Sequence, residues 1–132
     1  MQPYRLNDIK WHKKSRQLHL GFSNGHDFEL PVEYLRVFSP SAEVQGHGPG
    51  QETLVEGKRF VNLSSIEPVG NYAIKLIFDD GHDSGLYTWE YLYNLASNYQ
   101  QNWKSYLDKL HQAGKQREGQ DVHILKLYTR AT

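Results

Sequence analysis

Apolar residues between Ile9 and Phe22 fall at Ile9, Trp11, Leu18, Leu20 and Phe22. Their period of two, broken by the polar run Lys13–Arg16, predicts two strands joined by a turn. Asn24-Gly25 marks a second turn, read as type I′ because both residues tolerate positive φ. The strand "DFELP" that follows is stopped by Pro31, and Pro31–Phe38 predicts a short helix with proline at its first position. Ser39–Leu54 carries no periodicity and is rich in Gly, Pro and Ser, so it reads as a long loop, the kind that tends to carry function. A strand is expected around Phe60–Leu63, with a link through Pro68 and Gly70, and a stronger strand at Tyr72–Phe78. Asp80-Gly81 turns that strand back into Ser84–Thr88. From Trp89 to Gln112 apolar residues recur at Leu92, Leu95, Ala96, Tyr99, Trp103, Tyr106, Leu107 and Leu110, the three-or-four spacing of one buried helical stripe. Thr88 is the expected N-cap and Gly114 the stop. Asn98 and Asn102 make a mid-helix irregularity unsurprising. Residues 115–132 begin polar and end in an apolar, strand-like run, Val122–Tyr128, which either pairs at a sheet edge or, the favoured reading, forms a mobile tail beyond a domain spanning residues 1–114.

The pattern repeats. At an offset of 56, Leu20 matches Leu76, Phe22 matches Phe78, Gly25-His26-Asp27 matches Gly81-His82-Asp83 and Leu30 matches Leu86. After one inserted residue, Tyr34-Leu35 matches Tyr91-Leu92. Each copy reads strand, turn, strand, helix. Tight turns join antiparallel strands, so the expected class is α+β: an antiparallel sheet built from two similar hairpin–helix units, with the long C-terminal helix packed on it. The two matched histidines, His26 and His82, are expected at solvent-facing turn tips.

Composition narrows the chemistry. The chain has 132 residues, 38% hydrophobic and 13% aromatic, enough for one domain with a core. Fifteen basic residues balance fifteen acidic ones, which gives no general attraction to nucleic acid or anionic lipid. The absence of cysteine excludes disulfides, thiol catalysis and thiolate metal sites. No apolar run is long enough to span a bilayer, and the N-terminus has no signal-like core, so a soluble cytoplasmic protein is expected. None of the seven histidines sits in a metal-ligand motif. No serine stands in a nucleophile elbow or an S-x-x-K pattern. The Asp79, Asp80 and Asp83 cluster reads as turn chemistry. "GHGPGQ" at Gly46–Gln51 is neither a P-loop nor a dinucleotide fingerprint, though its glycines suit a backbone anion nest. Arg36, His47, Lys58 and Arg59 add positive charge whose convergence the sequence does not show. The aromatic stripe of the helix (Tyr91, Tyr93, Tyr99, Trp103, Tyr106) fits a core better than base stacking.

The segments "LPVEYLRVFSPSAEVQGHGPGQ" and "IEPVGNYAIKLIFDDGHDSGLYTWEYLYNL" resemble the gamma-butyrobetaine hydroxylase-like N-terminal domain family, over roughly Ile9 to Gly114. That family comprises a small domain found alone in bacteria, ahead of the oxygenase barrel in gamma-butyrobetaine and trimethyllysine hydroxylases, and attached to some Mrp/ApbC-type iron–sulfur carrier ATPases. In the hydroxylases the resemblance implies a zinc site of three cysteines and a histidine. Carried over, the cysteines fall on Ser39, Ser41 and Val44 and the histidine on His82, so no zinc and no other cofactor is expected here. His82 then needs another role, either in turn geometry or in a hydrogen bond to the long loop. The oxygenase triad and its barrel have no counterpart in this chain. The expected function is that of a non-catalytic binding or adaptor module. Its candidate surface is Arg36, Ser39, Ser41, Gly46, His47, Gly48, Gly50 and His82. Its partner is expected to be another protein, by family analogy an iron–sulfur carrier, with neither nucleic acid nor membrane. The alternatives are a metal-binding accessory component of an oxidoreductase and a self-association domain.

Overall fold

The structure is a computed structural model, and it describes residues 5–46, 48 and 50–119. Strands β1 (Leu6–His12), β2 (Gln17–Phe22) and β3 (Asp27–Pro31) form one antiparallel sheet in the order β1-β2-β3. Helix α1 (Val32–Val37) and a single turn, α2 (Ala42–Gln45), follow. Strands β4 (Leu63–Val69), β5 (Ala73–Phe78) and β6 (Leu86–Thr88) form a second antiparallel sheet in the order β4-β5-β6. Helices α3 (Trp89–Ser97) and α4 (Tyr99–Ala113) complete the chain order. The α+β class and the two similar units are as the sequence predicts. The strands, however, divide into two three-stranded sheets, and the long helix is two helices.

The local differences have local causes. Asn98 ends α3 and starts α4 at φ −111°, and its side-chain amide donates to the Asn94 carbonyl at 2.9 Å. An Asn that competes for a backbone carbonyl in this way breaks a helix where the apolar stripe alone would continue it. Pro31 is the extended N-cap of α1, not its first helical residue. The strand expected around Phe60–Leu63 starts only at Leu63 and runs through Pro68. Because β4 is an edge strand, the missing amide of Pro68 breaks no ladder. Thr88 caps α3 as expected, its hydroxyl accepting from the Tyr91 amide at 3.1 Å, and Gly114 closes α4 in the left-handed region at φ 68°.

The turn after β2 is not type I′, since Arg16 is the only non-glycine with positive φ among the described residues. The Gly25 amide donates to the Phe22 carbonyl, and the Phe22 amide to the His26 carbonyl, both at 3.0 Å. This is a three-residue loop in which glycine alone, at φ 87°, takes the left-handed position. The turn after β5 repeats it bond for bond. Gly81 donates to Phe78 at 3.1 Å, Phe78 donates to His82 at 3.0 Å, and Gly81 has φ 91°.

The two units share one core. Leu18, Leu20 and Leu30 of the first sheet pack with Leu76, Phe78 and Tyr87 of the second, and Leu35 of α1 with Leu92 of α3. The units also clasp each other reciprocally. The Tyr34 hydroxyl of α1 donates to the Leu95 carbonyl of α3 at 2.7 Å, and its repeat equivalent, Tyr91, donates to the Phe38 carbonyl at 2.5 Å. Both acceptors lie at helix C-termini, where carbonyls lack an intrahelical partner. A third, Leu35, accepts from the Tyr87 hydroxyl at 2.6 Å. Burial raises these phenols, Tyr34 and Tyr91 to about 12, so they stay protonated donors.

Residues 115–119, the start of the expected tail, run back beside residues 57–59, with Gly57 and Arg59 amides donating to the Gln116 and Arg117 carbonyls at 3.1 Å. The Arg117 guanidinium forks onto the buried Glu33 carboxylate at 2.9 and 2.6 Å and lies over the Trp103 ring. The apolar run Val122–Tyr128 lies outside the described residues.

Candidate functional site

The long loop begins at a buried polar hub centred on the second turn. The sequence places His82 in solvent, but the structure buries it, at 6% exposure. The burial comes from residues about 40 positions earlier. Ser39, with no exposed surface, lies 2.8 Å from His82 Nε2, and Ser41 Oγ lies 3.4 Å from the same nitrogen. His82 Nδ1 faces the Glu43 carboxylate at 3.2 Å. A neutral ring satisfies all of this: Nδ1–H donates to Glu43, and Nε2 accepts the Ser39 hydroxyl proton. The hydrogen bond into the long loop is therefore the role His82 has here. Burial lowers the His82 pKa, and the nearby Arg36 charge lowers it further, against the opposing pull of Glu43 and Asp80.

Asp80 braces the same turn. Its Oδ1 accepts from the His82 amide at 3.1 Å, and its Oδ2 takes Arg36 Nε at 2.8 Å and Lys58 Nζ at 2.6 Å. Desolvation pushes the carboxyl pKa up, but the bonds from Lys58, the His82 amide and Arg36 outweigh it and bring it down to about 2. Arg36 Nη1 is buried without a hydrogen-bond partner.

Of the residues expected at the site, Arg36, Ser39, Ser41 and His82 converge. Val44, the fourth position carried over from the zinc site, is buried at 5% in α2. Gly46, Gly48 and Gly50 do not join them, and His47 lies outside the described residues. Gly46 has a backbone reason to be glycine: at φ 74°, a Cβ there would stand 2.3 Å from the Gln51 carbonyl oxygen. Gly48 and Gly50 meet nothing within 4 Å.

The order Ser39 Oγ, His82 Nε2, His82 Nδ1, Glu43 copies the hydrogen-bond sequence of a hydrolytic triad. Ser39 has no exposed surface, and the chain of bonds ties the start of the loop to the second turn. These donors do not suit zinc. Two neutral hydroxyls and a valine replace soft thiolates, and the one good ligand nitrogen is already hydrogen-bonded. No group of three or more His, Asp or Glu side chains able to hold a metal occurs among the described residues.

Beyond the hub the loop forms one wall of a cleft of about 430 Å³. Val37, Val44, Leu54 and Tyr106 give it an apolar floor, and Gln45, Glu52, Asn102 and Lys109 give it a polar rim. Tyr106 ties the wall to α4, donating its hydroxyl to the Val55 carbonyl at 2.7 Å. Gln45 ties α2 to the core through the Ser39 carbonyl at 2.9 Å, and Thr53 bonds back to Val44 at 2.7 Å. The α4 side of this cleft was not among the expected site residues. Its only sequence signal is Asn102, a polar residue beside the apolar stripe.

These features define a small α+β domain of two interlocked units with a tethered loop and no accessible catalytic group at the hub. The family model described as "Gamma-butyrobetaine hydroxylase-like, N-terminal" matches residues 9–93, and the chain belongs to that family. Two solution NMR structures are similar to it, at 52% and 53% identity and a TM-score of 0.75; each alignment covers 86% of this chain, and 90% and 84% of theirs. A crystal structure from Acidithiobacillus ferrooxidans, described as a protein of unknown function in the DUF971 family, is 36% identical over 70% of this chain and 92% of its own, with a TM-score of 0.58. No curated protein matches. Among the described residues no helix is long and apolar enough to cross a membrane.

Proposed function

We propose that the chain is a non-catalytic binding module whose working surface is the cleft between the long loop and α4. The observation that carries this reading is the fastening of the loop. The His82 hub holds its start and Tyr106 its end, so an apolar floor with a polar rim stays open between two tethered walls. Preformed concavities of this size, lined by apolar side chains and a few placed polar groups, are the usual setting for recognition. The hub supports binding over chemistry, because its serine and imidazole are spent on holding the backbone.

The partner, by family analogy, is another protein, an iron–sulfur carrier ATPase. The test immobilises the purified chain and measures retention of a purified carrier ATPase by the natural chain and by Ser105→Trp and Lys109→Glu, which fill the cleft and reverse its rim charge. Loss of retention in both variants, with unchanged thermal stability, is the expected result. Equal retention by all three proteins rejects the cleft as the binding surface, and no retention by the natural chain rejects the carrier as its partner.

A further inference from the structure

Away from the cleft, the turn after β1 meets the segment before β4. Phe60 is the most exposed large hydrophobic residue there, at 59%. Two guanidinium groups flank its ring, Arg16 at 5.6 Å and Arg59 at 5.7 Å from the centroid. The patch continues through Asn62, which bonds the Lys13 carbonyl at 3.0 Å and accepts from the Trp11 indole at 3.1 Å. Lys13 Nζ in turn sits 5.5 Å from the Trp11 ring. Two aromatic rings and a row of cations thus lie side by side.

Most charges nearby are already matched. Arg59 pairs with Glu118, Lys58 with Asp80, and Lys10 with Asp8. Among the described residues Asp79 accepts only from the neutral Asn62 backbone amide and keeps its charge. Lys13, Lys14 and Arg16 have no carboxylate partner among the described residues, although the whole chain is neutral. Arg16 also occupies the left-handed region at φ 54°, a position that favours glycine or asparagine. An arginine at that backbone position, with its guanidinium over an exposed ring, is an outlier that points to use of the side chain.

We infer that Lys13, Lys14, Arg16 and Phe60 form a docking site for a short acidic segment of a partner protein carrying one apolar residue. The carboxylates answer the three unmatched cations, Arg16 offering a planar fork, and the apolar residue covers Phe60 between its flanking guanidinium groups. Three unmatched cations against the single unpaired carboxylate of Asp79 leave a local positive excess on a neutral chain, which suits a short acidic stretch. A nucleic acid backbone needs a broader basic surface for its counterion-release gain. This site is separate from the cleft and does not depend on it.

The test titrates the full-length, nitrogen-15-labelled chain with a synthetic peptide of glutamates around one central phenylalanine. A lysine version of the peptide and a thymidine oligonucleotide run in parallel. Saturable amide shifts confined to residues 13–16 and 59–61 are expected with the acidic peptide alone. They should weaken by about tenfold in Arg16→Asn, which suits the backbone there, and in Phe60→Ser, the usual scale for losing one charge-assisted or apolar contact. Lys13→Glu combined with Lys14→Glu should abolish them, with thermal stability unchanged. Absence of saturable shifts overturns the inference, as do identical shifts in the variants or shifts centred on Leu54 and Tyr106. Tighter binding of the oligonucleotide overturns it in favour of nucleic acid.

Discussion

The turns at Phe22–Phe28 and Phe78–Ser84 have the same backbone and opposite fates. Each closes with the same pair of main-chain bonds, each places one glycine in the left-handed region, and each uses an Asx side chain to accept the following histidine amide at 3.1 Å. The first histidine stays at the surface, its Nδ1 2.8 Å from the Tyr93 hydroxyl and its ring nearly parallel to that phenol. The second is sealed beneath the loop that follows α1. Each turn thus packs against the other unit, the first on Tyr93 of α3 and the second on Ser39 and Ser41 beyond α1. What differs is the cargo. Asn24 in the first turn is replaced by Asp80 in the second, and that one charge gathers Arg36 and Lys58. The repeated scaffold supplies the geometry, and single substitutions on it decide which copy builds a surface and which builds a hub.

The largest expected effect comes from converting the hub. Ser39→Cys, Ser41→Cys and Val44→Cys together restore the ligand types that the family resemblance assigns beside His82. The triple variant should bind one zinc and gain several kcal/mol of chelator-sensitive stability. Metal analysis and thermal melts with and without chelator check this. Failure to take up zinc would show that position 44 does not face the cluster of Ser39, Ser41 and His82.

Second is the matched glutamate pair. Glu33 and Glu90 occupy equivalent places at the starts of α1 and α3, yet only Glu33 is buried. Arg117→Ala leaves that carboxylate without its cation and should cost about 3 kcal/mol. Glu90→Ala, an exposed change, should stay within about 0.5 kcal/mol. Urea denaturation separates them, and equal midpoints would break the account of how residues 115–119 are fastened.

Third, His82→Ala removes a buried ring and strands the Ser39 and Ser41 hydroxyls, for a loss of about 2 kcal/mol. His26→Ala should cost much less, since its position is exposed. Similar losses from both would mean that the turns are equivalent after all.

The smallest effect is Asp80→Asn, which makes the second turn chemically like the first. The Asp80 pKa falls from 3.8 to about 2 on folding, so the stability it contributes is complete above pH 3.8 and is lost as pH drops toward 2. The full shift corresponds to about 2 kcal/mol, an upper bound given partial exposure. The variant should lose this step from the pH profile while keeping the turn, because Asn also accepts the His82 amide.

The sequence made the repeat, the glycine positions of the turns, the N-cap at Thr88 and the stop at Gly114 legible, because each depends on residues within a few positions of one another. It did not reveal the burial of His82, whose cover comes from residues far earlier in the chain. It also hid the far wall of the cleft, because Tyr106 looks like an ordinary stripe residue until the loop is seen against it. The misread turn type had a subtler cause: Asn24-Gly25 fits two loop geometries, and only the Phe22–His26 bond selects between them. The convergence of Ser39, Ser41 and His82 followed from the family resemblance and not from spacing.

The account turns on His82 being a neutral ring locked by hydrogen bonds, and nitrogen-15 NMR of its imidazole across pH, with and without added zinc, tests that most directly. Burial and Arg36 predict a titration midpoint below the ordinary 6.5, Nδ1 carrying the proton above it, and no response to zinc. Stability should then decline as pH falls below 6.5, since the unfolded chain takes up that proton first. A midpoint at or above 6.5, or a resonance that moves with zinc, would contradict it.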